Sequence, residues 1–139
     1  MESDNTQSVF DVLAEAAALP ETAATMLVDK YFVDKASASA RIFRIYREVP
    51  LHYHEECDEH LYLLSGRGTF HLDGAEFEAR PGLFLAFERL KVHGFPRVSE
   101  EPLVVLAIDV PRRRPDDIVF VDPLAGDAKS FMARNAEGG

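Results

Sequence analysis

Residues 51–68 read LHYHEECDEHLYLLSGRG, and they hold three of the chain's five histidines (His52, His54, His60), four carboxylates and its one cysteine, Cys57. Hydrophobic runs flank this polar knot on both sides. Such side chains are costly to bury unless they pair with one another or with an ion. If residues 51–54 are extended, His52 and His54 project from one face with their Cα atoms about 6.6–7 Å apart, whereas on a helix they would diverge. Glu59 follows a short acidic turn and opens the next run, so it can begin a strand of the same sheet. Imidazoles and a carboxylate brought together in this way are typical ligands of a divalent transition metal. The H-x-H pair alone is equally compatible with surface or hydrogen-bonded histidines.

The surrounding runs point to strands. "TMLVDKYFV", "ASARIFRIYREV", "EHLYLLSG", "GTFHLDG", "AEFEA", "GLFLAF" and "PLVVLAIDV" are short, rich in β-branched and aromatic residues, and separated by Gly, Pro and Asp turns. That spacing predicts an all-β sandwich or barrel. Asp73-Gly74 between alternating runs is a hairpin signal. Before the strands, "SVFDVLAEAAALP" predicts a short helix capped by Ser8, with Asp11 three residues on, and ended by Pro20. After "PRRRPDDIVFVDPL" a last short strand is expected over 118–121, then loose chain. The expected organisation is an N-terminal tail and helix over 1–24, a barrel over 25–122 and a C-terminal tail over 123–139.

Composition limits the function classes. The 139 residues, 47% hydrophobic and 28% charged, suffice for one core and not for two. With 24 acidic against 15 basic residues the net charge is -9, which argues against nucleic acid or an anionic membrane surface as partner. No window approaches the roughly 18 apolar residues of a membrane helix, and the start "MESDNTQSVF" lacks the features of a signal peptide. A cytoplasmic protein is expected. The lone Cys57 agrees with a reducing compartment.

The spacing extends beyond the opening stretch. His52-x-His54 is followed after four residues by Glu59 and after six more by Gly66; Gly82 and, eleven residues later, His93 lie downstream. This pattern resembles the two sequence motifs of the cupin superfamily, small β-barrels that hold a metal with three histidines and a glutamate. His52, His54, Glu59 and Gly66 match the first motif, and Gly82 and His93 the second. The resemblance spans residues 25–110. It departs from the family at Tyr46, where a glycine usually stands, and at Glu88, Leu90 and Arg97, where Pro, Gly and Asn are usual. The fifteen residues between Gly66 and Gly82 leave room for a simple hairpin. What the resemblance implies is a cupin-type antiparallel β-barrel, or double-sheet jelly roll, with a divalent transition metal (iron, manganese, nickel or zinc) on His52, His54, Glu59 and His93.

The neighbours of the motif carry their own readings. Strand alternation lets only one of Asp58 and Glu59 face inward, and spacing favours Glu59. His60 then points to solvent or a partner subunit, and His71 reads as an ordinary strand residue. Cys57 reads as a loop cysteine rather than a thiolate ligand. "PRRRP" could clamp an anion, but between prolines in an acidic chain it reads as a solvated linker neutralising local acid. Two function classes stay open. A metal-dependent enzyme acting on a small metabolite, of dioxygenase, isomerase or lyase type, expects an inward basic or phenolic group; Arg41, Arg44, Tyr46 and Tyr62 are the candidates. A non-catalytic binding or sensor module with a structural metal expects a cavity filled by Phe43, Phe84 or Phe87. Apolar residues on both faces of "HLYLLSG" need two covers, so a homodimer is expected as well.

Overall fold

The computed structural model describes residues 7–134. In chain order these form α1 (Val12–Ala17), β1 (Leu27–Lys35), β2 (Ala38–Ile45), β3 (Val49–Tyr53), β4 (Asp58–Leu72), β5 (Ala75–Ala79), β6 (Phe84–Phe87), β7 (His93–Val110), β8 (Val119–Phe120), α2 (Ala128–Phe131) and β9 (Met132–Arg134). The strands make one sheet in the order β5-β4-β7-β2-β1-β9, with β3 on β7 and β8, and β6 on β4. Every pairing is antiparallel except β1–β9, so the sheet is mixed, and its hydrogen-bonded path does not close into a ring. The all-β reading holds, with the short N-terminal helix present.

Alternation along β2 turns Arg41, Phe43 and Ile45 inward, and Ile42 and Arg44 to the other face. The inner face joins Leu61, Leu63, Phe70, Phe95, Leu103 and Val105 in the main core. Each large apolar side chain fully buried there contributes roughly 1.5–3 kcal/mol. On the outer face Val28, Ile42 and Val104 pack with Leu19, and Val12, Ala16 and Leu64 close around them. The segment around α1 therefore covers the outer side of β1, β2 and β7. The Tyr46 hydroxyl donates to the carbonyl of Pro20 at 2.7 Å, tying that cover down.

Four local differences from the sequence reading have physical causes. The helix begins one turn late: Asp11, not Ser8, is the N-cap and accepts from the Ala14 amide at 3.1 Å, while Phe10 packs on Phe32 with ring centroids 4.9 Å apart. The runs expected as two strands around Gly66 are one strand, β4, because Gly66 takes φ +84° and lies so close to β7 that a Cβ would stand 2.5 Å from Leu103 Cα. β7 starts at His93 rather than near Pro102. Residues 122–134 are not loose, while 135–139 of the expected tail lie outside the described residues: a capping box between Asp127 and Ser130 starts α2, and β9 pairs in parallel with Leu27–Asp29 of β1. The expected hairpin is present, with Asp73 (φ 50°) and Gly74 (φ 92°) joining β4 to β5.

Candidate metal centre

His52 on β3 and His93, the first residue of β7, are cross-strand partners, and their rings lie 4.4 Å apart. Gly94 permits this approach: a Cβ there would stand 2.7 Å from the Val49 carbonyl oxygen. His54, two residues beyond His52 on the same side, brings its ring within 5.2 Å of His52 and 5.1 Å of His93. All three are buried, and their ligand atoms lie within 4.8 Å of one another.

Backbone carbonyls orient the rings. Nδ1 of His52 lies 2.7 Å from the Pro50 oxygen, Nδ1 of His54 2.6 Å from that of Asp117, and Nδ1 of His93 2.9 Å from that of Lys91. A carbonyl only accepts, so each Nδ1 carries the proton and each Nε2 keeps a lone pair for the centre. Glu59, at the start of β4, puts Oε1 3.1 Å from His93 Nε2 and 3.5 Å from His54 Nε2. Lone pairs facing one another at such distances require a shared cation or proton. The donor set, three imidazoles and a carboxylate, fits a divalent transition metal.

Electrostatics agree. Burial, reinforced by the neighbouring His93 and His54, holds His52 well below its ordinary value, in the neutral form that ligates metals. Burial alone would raise Glu59, but positive charge at the His54 and His93 positions outweighs it and keeps the carboxyl well below the usual range; with the rings neutral, a bound cation would supply that charge. Arg41 is the third element: its Nε donates to Asp109 at 2.9 Å, with Asp29 at 3.4 Å and the second Glu59 oxygen at 3.5 Å. Removing one member of such a buried set costs about 3–5 kcal/mol, because it strands the opposite charge.

These groups line a cavity of about 20 Å³, completed by Leu27, Phe43, Val49, Leu61, Phe95 and Phe131. That volume suits an ion or one water and no metabolite. Phe131 forms part of the wall, with its ring 5.3 Å from that of His52.

Of the candidates for an inward polar group, only Arg41 reaches the cavity. Arg44 reaches out to the Pro20 carbonyl and Glu101, Tyr46 lies under the α1 segment, and Tyr62 is 41% exposed. Phe43 lines the cavity and Phe87 packs with its ring 4.4 Å from that of His93, whereas Phe84 is exposed. Asp58 turns outward to the Arg89 amide and guanidinium. His60 lies 3.2 Å from the Ile108 carbonyl, and His71 accepts from the Gly74 amide, both away from the cluster. Cys57 is buried, and burial with the nearby carboxylates pushes its thiol far up. The arginine run departs from expectation. Arg112 and Arg114 do neutralise acids, Asp34 and Glu56, but Arg113 is buried over the Phe131 ring.

Sequence reasoning did not single out Asp117, whose carbonyl orients His54 and whose carboxylate accepts from the Glu55 and Glu56 amides at 2.7 and 3.0 Å. It also passed over Asp29, Asp109 and Phe131. Their isolated positions carry no spacing signal; only their apolar surroundings mark Asp29 and Asp109 as acids inside strands.

Residues 46–109 match the family model of the cupin domain, and that stretch contains all four converging side chains. This stretch of the chain is a cupin domain. Among solved structures, this cupin is similar to an uncharacterized conserved protein with a double-stranded β-helix domain from Klebsiella pneumoniae, at TM-score 0.65 and 13% identity over 82% of this chain and 96% of that one. It is also similar to KdgF from Halomonas sp., at TM-score 0.56 and 24% identity over 63% and 81% of the two chains. A point variant of Streptomyces PAC13, solved with uridine, aligns at TM-score 0.55 and 17% identity over 63% and 70%. At these identities the likenesses concern the fold. No curated protein matches the sequence.

Proposed function

We propose that this cupin holds a divalent transition metal on His52, His54, His93 and Glu59 and uses it to act on a small metabolite. The observation that carries the reading is the set of three Nε2 lone pairs, each locked by a carbonyl behind it, converging with a buried carboxylate. A bound ion would supply Lewis acidity or oxygen activation, the chemistry behind dioxygenase, isomerase and lyase reactions. The chain's own residues have definite parts. The carbonyls of Pro50, Asp117 and Lys91 hold the three rings in one tautomer. Arg41 fixes one Glu59 oxygen, so that the other faces the histidines. Phe43, Phe95 and Phe131 give the pocket an apolar wall and leave room for no more than an ion or one water. Substrate entry needs a wall of this cavity to move, and Phe131, on the short α2, is the apolar lining residue held outside the sheet.

The second reading, a binding or sensor module with a structural metal, is favoured by one specific feature: the 20 Å³ cavity walled by phenylalanines. Elemental analysis of protein purified without chelator, followed by oxygen-uptake and turnover screens on metabolite pools, separates the two. Alanine variants of His52, His54, His93 and Glu59 are expected to lose roughly tenfold or more in metal content, while His60 and His71 variants keep it. Full occupancy in the three histidine variants would sink the metal reading; metal without turnover, in protein lacking only the Phe131 ring, would favour the module.

A further inference from the structure

A second recess lies outside the metal cavity, between β1, the arginine run and the α2–β9 segment. It encloses about 590 Å³, a volume in the range of small-molecule sites, and its charged lining comprises Asp29, Arg112, Arg113, Asp116, Lys129 and Arg134. Four cations thus gather in one cleft of a chain whose net charge is -9. Asp29 pairs with Arg41 at 3.4 Å and also feels Arg134 and Arg113, and Asp116 lies 3.6 Å from Arg114, so the two acids of the lining offset the four cations only in part.

Arg113 is the decisive residue. It is buried, with 4% of its surface exposed, yet its Nη1 donates only to the carbonyls of Arg114 and Pro115, and its Nε has no partner. Among the described residues it forms no ion pair. Burial and the neighbouring Arg41 disfavour its charge; Glu59 and Asp109, neither within ion-pair distance, offset this only in part, and the balance still lies against the charge. A buried guanidinium with no carboxylate in contact is costly, and its planar fork matches a carboxylate or phosphate. Arg112 and Arg134, which share Asp34 at 3.1 and 3.8 Å, and the exposed Lys129 add positive potential around it.

We infer that this cleft is an anion site, taking a small organic carboxylate or phosphate whose charge compensates Arg113 with help from Arg112, Lys129 and Arg134. The site is separate from the metal centre: Met132 lies between the two arginines, its sulfur 3.5 Å from Arg41 and 3.8 Å from Arg113.

The test is calorimetric titration of the full chain with succinate and with inorganic phosphate, against sodium chloride at matched ionic strength, before and after chelator treatment. Saturable binding of either anion, retained after chelation, is expected; which of the two binds assigns the carboxylate or the phosphate class. The double variant Arg112→Gln/Lys129→Gln alters exposed side chains only and is expected to bind roughly tenfold more weakly, with Arg113→Met weaker still. Absence of binding to both anions, equal binding by the double variant, or loss of binding on chelation would overturn the inference, the last by reassigning the anion to the metal centre. A failure of metal binding in the alanine series leaves this outcome untouched.

Discussion

Leu90 shows at single-residue scale how a departure from a family pattern is absorbed. It stands where cupins usually carry glycine, and its φ of 73° is the left-handed conformation that glycine would adopt freely. The turn is kept because the Leu90 amide donates to the His54 carbonyl at 2.8 Å, linking the two ends of the site. A side chain in this region costs about 1–2 kcal/mol, while glycine gives back roughly 0.5–1 kcal/mol in unfolded-chain entropy. The side chain is 59% exposed, so little packing is lost on its removal. Leu90→Gly is therefore expected to stabilise the protein by up to about 1 kcal/mol, read as a raised urea midpoint; a lowered midpoint would show that the leucine contributes contacts outweighing its backbone strain.

Among the elements, the β3–β7 contact decides whether the three histidines meet. Gly94 lets the strands approach, and Gly94→Ala would drive a methyl group against the Val49 and Pro50 carbonyl oxygens, 2.7 and 3.0 Å from its Cβ. Backbone cannot yield as a flexible side chain does. A loss of about 1–3 kcal/mol is expected from overpacking, together with reduced metal content as His93 moves from His52. Gly82→Ala is the comparison. Its φ of +92° is disfavoured for alanine but nothing lies within 4 Å, so it should cost only backbone strain and leave metal content intact. Equal metal loss in both variants would refute the role assigned to the Gly94 approach.

At the scale of the whole molecule, the cover provided by the α1 segment stops short of Tyr62, Phe84, Ile108 and Val110, which stay exposed on β4, β6 and β7. A second copy of the chain is the cover we propose. Light scattering should give twice the 15.5 kDa chain mass, and Ile108→Arg should return the single-chain mass; a wild-type monomer at micromolar concentration refutes this. Acid acts on the molecule as a whole too. His52 is held neutral in the fold, its affinity for protons far below that of the unfolded chain, which takes one up near pH 6.5. Between the lowered folded value and pH 6.5 the unfolded state binds more protons, so the stability of chelator-treated protein falls as pH drops through this window. Glu59, also held low, adds a further loss below about pH 4.5, its ordinary range. Melting temperatures from about pH 8 to 5 should fall less steeply in His52→Gln than in wild type, and parallel slopes would contradict the assignment.

The sequence by itself determined what depends on neighbours along the chain. Alternating runs set the strand class, Asp73-Gly74 set its hairpin, and H-x-H with Glu59 and the later His93 made the polar cluster readable, because strand period and turn chemistry are local. Which of the candidates Arg41 and Arg44 enters the interior was decided only when β2 packed between β7 and β1, since parity has no sign until a second surface buries one side. The same holds for Arg113. In sequence it is the middle of a charged run between prolines; in the fold, α2 and β9 return onto β1 and bring Phe131 beneath it. Burial of a side chain is a property of what comes back to cover it, and that return lies eighteen residues further along the chain, at Phe131.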